Sequence, residues 1–98
     1  MKKEFIIVLM TCGSKSESEK IVDRLLKKRL AACANLISGI ESRFRWKGRM
    51  KSAREVLVIL KTRADKFAKI EKEVKRIHSY EVPEIIALPI AAGNKKYL

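Results

Sequence analysis

The chain has 98 residues, of which 47% are hydrophobic and 35% charged. This length and composition indicate one folded domain with its own core and exclude two domains. No apolar run approaches the ~20 residues of a membrane-spanning helix, and the formal net charge of +12 points to an acidic or anionic partner.

The N-terminal segment predicts a first β-strand over residues 4–12. Its basic start and apolar run resemble a short signal peptide, but the run covers only residues 5–10, Glu4 interrupts the basic flank and no small-residue cleavage site follows. A continuous apolar, β-branched run is typical of a strand buried on both faces. We therefore expect a cytoplasmic protein.

The two cysteines, Cys12 and Cys33, are too few and too far apart for a disulfide framework or a zinc knuckle. In a reducing compartment they are expected to be free thiols. Cys33 lies among alanines, which favours a small buried residue. Cys12 closes the first strand beside Gly13, so it is either buried or close to a surface cleft.

The next segment predicts a helix over about residues 16–31. Residues 16–19, Ser-Glu-Ser-Glu, have the Ser-x-x-Glu form of a capping box. The apolar residues that follow repeat as one helical stripe, made of Ile21, Val22, Leu25, Leu26 and Leu30.

A long β-hairpin is predicted next. Residues 32–46 read as extended, broken near Ser38-Gly39, and then alternate between apolar and charged side chains. Lys47-Gly48 is a tight turn, and the chain returns through residues 49–61, whose centre is fully apolar.

The hairpin is too long for one subunit. Each arm has about fourteen residues, or ~45 Å at ~3.3 Å per residue, whereas usual strands have ~5–6 residues. Two helices do not cover that length, so the far end must overhang. Unpaired edges that carry Phe44 and Trp46 are an aggregation hazard unless another subunit covers them. We therefore predict a closed homo-oligomer.

A second helix and a fourth strand complete the domain. Residues 62–65 are expected to cap the helix, whose stripe is Phe67, Ile70, Val74 and Ile77. Pro83 stops the helix, residues 84–92 form the fourth strand, and Pro89 implies an edge or a bulge there. The βαββαβ order predicts a ferredoxin-like α+β fold, with two helices on one face of a four-stranded antiparallel sheet, as a single domain over residues 1–98.

The segment 77–86 holds the only histidine of the chain, His78, together with Tyr80, Glu81 and Glu84. His78 is either a metal ligand or a structural residue that caps the second helix and hydrogen-bonds locally. Tyr80 has a structural interpretation too, in which it packs against a neighbouring subunit with its hydroxyl satisfied there.

A metal site would combine this segment with the end of the first strand. Imidazole from His78 suits copper, zinc or nickel, and sulfur from Met10 or Cys12 would favour Cu(I). Because the first strand is central and the fourth an edge, the two groups meet only if the loop before the fourth strand folds towards Cys12.

Basic residues are concentrated in the hairpin, where the stretch from Arg43 to Arg54 contains six of them and no acid. Basic residues with aromatic residues among them, here Phe44 and Trp46, are typical of surfaces that recognise RNA. The RNA-recognition motif has the same element order but stacks bases on aromatics of its first and third strands. Residues 49–61 have no aromatic, so nucleic acid is the less favoured alternative.

Four blocks of the sequence, in collinear order over nearly the whole chain, resemble the CutA family of divalent-cation tolerance proteins. They are residues 25–36, residues 44–48 followed by Glu55 and residues 59–62, residues 78–86, and residues 94–98.

The resemblance implies a cytosolic homotrimer similar in architecture to the PII signalling proteins, with hairpins paired edge to edge and Phe44 and Trp46 at the interface. It also implies binding of copper or another divalent metal, a role in metal tolerance and no enzymatic reaction. The candidate metal ligands on this chain are His78, Met10, Cys12 and Glu84.

The chain departs from the family pattern in three places. Ser79 replaces the usual proline after the histidine. Met10 stands where family metal sites can use a cysteine, with Cys12 two positions later. Basic residues replace acids after the hairpin turn, which makes the hairpin tip attractive to anions.

Two further functions have candidate residues in this sequence. Lys61, Thr62, Tyr80, Glu81 and Glu55 would form an intersubunit cleft for an anion or small effector, the position that PII-type proteins use, although the chain has no glycine-rich phosphate loop. A Cys–His pair is the remaining route to catalysis, but no local signature favours it, and we expect that the protein is not an enzyme.

Overall fold

The computed structural model describes residues 4–98, which form a four-stranded antiparallel sheet with two helices on one face. The elements are β1 (Phe5–Cys12), α1 (Lys15–Lys27), β2 (Cys33–Trp46), β3 (Arg49–Arg63), a 3-10 turn (Ala64–Lys66), α2 (Phe67–Ile77) and β4 (Ile85–Pro89). The strand order is β2-β3-β1-β4, so β1 is central and β4 is an edge. The predicted ferredoxin-like βαββαβ fold is confirmed. Within residues 4–98, no helix combines the length and apolarity needed to cross a membrane.

The core lies between the helices and one face of the sheet. Val8 and Met10 of β1 are fully buried there, packed in one cluster with Ile21 of α1 and Ile70 of α2. Burying each such side chain contributes roughly 1.5–3 kcal/mol, so this layer supplies the main stabilisation of the fold.

The opposite face of the sheet is apolar as well. Leu9 pairs with Ile59 of β3 on one side and with Ile86 of β4 on the other. Ile86 and Leu88 are each 49% exposed. A helix-free sheet face is normally polar, so this apolar face is suited to packing against another molecule.

Helix α1 begins and ends earlier than predicted. Its N-cap is Ser14, whose Oγ accepts a hydrogen bond of 3.2 Å from the Glu17 N–H, so the Ser-x-x-Glu motif lies two residues before the one expected. The helix ends at Lys27 because Arg29 adopts a left-handed backbone, with φ of 59°. Leu30 is outside the helix yet remains buried.

The long hairpin has the predicted length, with arms of 14 and 15 residues. Lys47 and Gly48 both have positive φ, as the tight turn requires, and the strand pairing shifts register between Ile37 and Ile40. The molecule measures 44 × 26 × 22 Å. Phe44 and Trp46, in the outer part of the hairpin, are 42% and 37% exposed.

The start of α2 differs from the prediction. Thr62 does not cap the helix, because its Oγ1 donates 2.7 Å to the Leu30 carbonyl and so ties β3 to the loop after α1. Neither the 3-10 turn nor α2 has a side-chain N-cap. β4 is shorter than expected and ends at Pro89, which suits an edge strand.

Candidate functional site

The single histidine is held between the end of β1 and the end of α2. His78 follows the last residue of α2, is 8% exposed, and its Nε2 lies 2.8 Å from the Thr11 carbonyl oxygen. Its Nδ1 accepts a 3.0 Å hydrogen bond from the Tyr80 N–H. Because a backbone N–H only donates, Nδ1 carries the lone pair and Nε2 the hydrogen, which it donates to Thr11. Both ring nitrogens are therefore engaged.

Tyr80 fastens the loop after α2 to the sheet. Its ring centroid lies 4.7 Å from that of His78, and its hydroxyl donates 2.6 Å to Oε2 of Glu55, a buried residue of β3. Burial first, and then the bond to Glu55, raise the pKa of Tyr80, so the phenol stays protonated. A Cβ on Gly13 would lie 3.2 Å from that hydroxyl, so glycine lets the ring approach the end of β1.

Cys12, Glu17 and His78 each place a potential ligand atom within 4.8 Å of the other two. They come from the end of β1, the first turn of α1 and the residue after α2. Since these elements meet at one end of the core, the fold assembles a sulfur, an oxygen and a nitrogen donor from distant parts of the sequence. This set resembles the mixed thiolate and imidazole sites that bind zinc and copper.

The thiol and the carboxylate of this group differ in charge state. Cys12 is fully buried, and burial, followed by the charges of Glu17 and Glu55, raises the pKa of its thiol to about 12. Burial alone would raise the pKa of Glu17, but the hydrogen bonds that it accepts, those from Ser79 first, outweigh burial and lower that pKa. The site therefore holds a protonated thiol next to an ionised carboxylate.

The four metal candidates from the sequence occupy different environments. Cys12 is buried rather than close to a surface cleft, and Met10 is fully buried on the same side of β1. Glu84 is exposed and lies outside the three-residue group. Glu17 was missed, because its position near a helix start was interpreted only as capping. Its bond to the Ser79 N–H, 2.9 Å long, joins residues 62 positions apart and has no local sequence signal.

The residues that the sequence assigns to a single effector cleft line two separate clefts in the structure. A cleft of about 710 Å³, here the hairpin cleft, lies between the outer hairpin and the loop after α2. It is lined by Phe44, Trp46, Glu55, Tyr80, Glu81 and Glu84, among others. Lys61 and Thr62 instead line a second cleft of about 570 Å³. Cys33, expected to be buried, is partly exposed there.

The basic residues of the hairpin are all exposed. They are Arg43, Arg45, Lys47, Arg49, Lys51 and Arg54. Arg43 is paired with Glu41 at 2.7 Å, and the Lys47 ammonium lies 5.9 Å from the centroid of the Trp46 ring. Part of the positive charge that the sequence places here is therefore locally compensated.

Comparison with known proteins gives matches over nearly the whole chain. The family model of the CutA1 divalent ion tolerance protein matches residues 6–98. The divalent-cation tolerance protein CutA of Thermus thermophilus is 44% identical over 92 residues, which cover 94% of this chain and 89% of that protein. The CutA of Archaeoglobus fulgidus is 46% identical over 91 residues, covering 93% of this chain and 88% of its own length.

Solved structures agree with the sequence match. The structure of the T. thermophilus protein superposes with a TM-score of 0.93 at 42% identity, covering 95% of this chain and 90% of that one. The structure of CutA1 from Oryza sativa gives a TM-score of 0.94 at 40% identity, covering 97% and 87% respectively. The chain therefore belongs to the CutA1 family of divalent ion tolerance proteins.

Proposed function

We propose that the protein binds a divalent or soft metal ion, with copper as the best match, through Cys12, Glu17 and His78, and that it does so as a homotrimer. The observation that carries the metal proposal is the group of three donor atoms within 4.8 Å of one another. Thiolate and imidazole together favour copper, zinc and their thiophilic relatives over magnesium or calcium.

Two costs accompany binding. The Cys12 thiol must lose its proton, and one nitrogen of His78 must exchange its hydrogen bond for the metal. A broken local hydrogen bond costs roughly 1 kcal/mol, which a metal–thiolate bond exceeds easily. These costs favour ions with a strong preference for sulfur. They also favour binding over catalysis, since neither the protonated thiol nor the engaged imidazole is poised to act as nucleophile or base.

The homotrimer is supported by two surfaces that a monomer leaves exposed. One is the apolar sheet face around Leu9 and Ile86, and the other is the outer hairpin with Phe44 and Trp46. The resemblance to the family implies pairing of such hairpins around a threefold axis, which would cover both aromatic side chains. A reducing compartment such as the cytoplasm, where we place the protein, would keep Cys12 free to bind metal.

Metal titration of single-residue variants tests the site. Cd²⁺ is a suitable probe because thiolate ligation produces an ultraviolet charge-transfer band. We expect one ion per subunit in the wild type, loss of the band in Cys12→Ser, and affinity at least tenfold weaker in Glu17→Gln and His78→Ala.

The matched control is Cys33→Ser, which removes the other thiol and should bind like the wild type. Circular dichroism of each variant establishes that the fold is retained. Equal Cd²⁺ affinity in Cys12→Ser, His78→Ala and the wild type would remove the proposed site.

A further inference from the structure

The second cleft, of about 570 Å³, lies at the opposite end of β1 from the proposed metal ligands. Phe5, the first residue of β1, lines this cleft, whereas Cys12 is the last residue of the strand. Seven residue steps at ~3.3 Å separate the two ends by ~23 Å. A ligand in this cleft, here called the basic cleft, would therefore be independent of metal binding.

Four cationic side chains line the basic cleft, namely Arg29, Lys61, Arg63 and Lys66. Among residues 4–98, no Asp or Glu side chain lines it. Arg63 is partly neutralised, because its Nε and Nη2 each donate 3.0 Å to Asp65. Arg29 and Lys66 form no ion pair within the part of the chain that the structure describes. The cleft therefore carries a surplus of positive charge.

The side chain of Lys61 has a defined orientation in the basic cleft. Its Nζ donates 2.7 Å to Oδ1 of Asn35 and lies 5.9 Å from the centroid of the Tyr97 ring. These contacts hold the ammonium in the cleft without pairing it with an acidic side chain, so it can pair with an anionic ligand.

The backbone conformation of Arg29 also supports a role for its side chain in the basic cleft. Its φ of 59° is one of two positive values among the non-glycine residues described, the other being at the hairpin turn. This position ends α1, where glycine is the usual residue because it adopts left-handed backbone without strain. The helix end alone therefore does not require arginine, and what the arginine side chain adds is a cation in the cleft.

The remaining lining is apolar and includes Phe5, Leu26, Ile90 and Tyr97. We propose that the basic cleft binds a small organic phosphate, with the phosphate paired to Arg29, Lys61 and Lys66 and an apolar or aromatic body against Tyr97 and Phe5. A phosphate monoester carries about −1.5 to −2 charges at neutral pH, which matches several cations better than a single carboxylate does.

Phenyl phosphate is the probe for this site, followed by amide NMR of the full-length protein. We expect chemical-shift changes at residues 26–33, 61–66 and 97–98. Inorganic phosphate, which lacks the ring, should bind roughly tenfold more weakly, and so should benzoate, which lacks the second charge. Arg29→Gly and Lys66→Met should each weaken the binding of phenyl phosphate at least fivefold. Arg29→Gly suits its backbone, so loss of binding there cannot be ascribed to loss of the fold.

The control is Lys72→Met, which removes an exposed charge of α2 outside both clefts and should leave binding unchanged. Equal binding in Arg29→Gly, Lys66→Met and Lys72→Met, or shifts confined to the basic hairpin, would overturn the proposal. The Cys12→Ser variant should bind phenyl phosphate normally. The test of the basic cleft therefore does not depend on whether the proposed metal site exists.

Discussion

Cys12 is the residue on which the proposed metal chemistry depends most. It is fully buried, and its thiol pKa is raised to about 12 by burial and by two carboxylates. The same carboxylates that hold the proton on sulfur would attract a cation once that proton has left. The residue is thus inert towards ordinary nucleophilic reactions while remaining a strong ligand for a metal that displaces its proton.

This charge state predicts the pH dependence of metal binding. Because the thiol is protonated throughout the neutral range, each bound ion must release the Cys12 proton, and affinity should rise about tenfold per pH unit between about pH 6 and 9. Isothermal titration with Cd²⁺ in two buffers of different ionisation enthalpy measures the proton release directly. Affinity that is independent of pH would mean that Cys12 is not a ligand.

At the scale of secondary structure, the two helices are joined by one carboxylate. Glu73 of α2 accepts bonds from Arg24 at 2.7 Å and Lys28 at 3.1 Å, both from the region of α1, and from Arg76 of its own helix. Its side chain is only 12% exposed. The bonds from Arg76, Arg24 and Lys28, in that order, lower the pKa of Glu73 to about 2. This cluster ties the two helices to each other.

The Glu73 cluster predicts a loss of stability in acid. Its pKa is lowered on folding, so its contribution is complete above the unfolded value of about 4.5 and disappears as the pH falls through about 2. Urea unfolding should therefore show Glu73→Gln destabilised relative to the wild type at pH 7, with the difference largely gone at pH 2.

The matched control is Glu71→Gln on the same helix, because Glu71 forms an ion pair with Lys75, at 3.4 Å, that lies within α2 and does not join the two helices. It should change stability less than Glu73→Gln does. If Glu73→Gln lowered the free energy of unfolding equally at pH 7 and pH 2, the stabilising role of the ionised Glu73 carboxylate would be contradicted.

At the scale of the whole molecule, the sheet and the hairpin follow from sequence because their signals are periodic and local. The alternation of residues 40–47 and the Lys47-Gly48 turn specify both arms of the hairpin. The end of α1 does not follow in this way, since Leu30 continues the apolar stripe while Arg29 breaks the helix.

The candidate site was only partly accessible to sequence reasoning. Cys12 and His78 were selected for their chemistry, yet the bond between His78 and the Thr11 carbonyl joins residues 67 positions apart. Glu17 has an obvious local role as a helix-start residue, which conceals its position beside the thiol. The division into two clefts follows from the position of Lys61 along β3, since Glu55 and Lys61 lie six residues, or ~20 Å at ~3.3 Å per residue, apart on that strand.

The proposed homotrimer and the proposed metal site are tested together at this scale, because the exposed apolar face and the outer hairpin support assembly and each chain carries the Cys12, Glu17 and His78 group. Native mass spectrometry of the wild type equilibrated with Cd²⁺ measures both. We expect a complex of about three times the 11.2 kDa chain that carries three ions, and the same complex without ions for Cys12→Ser. A metal-free monomer from the wild type, or three ions retained by Cys12→Ser, would contradict it.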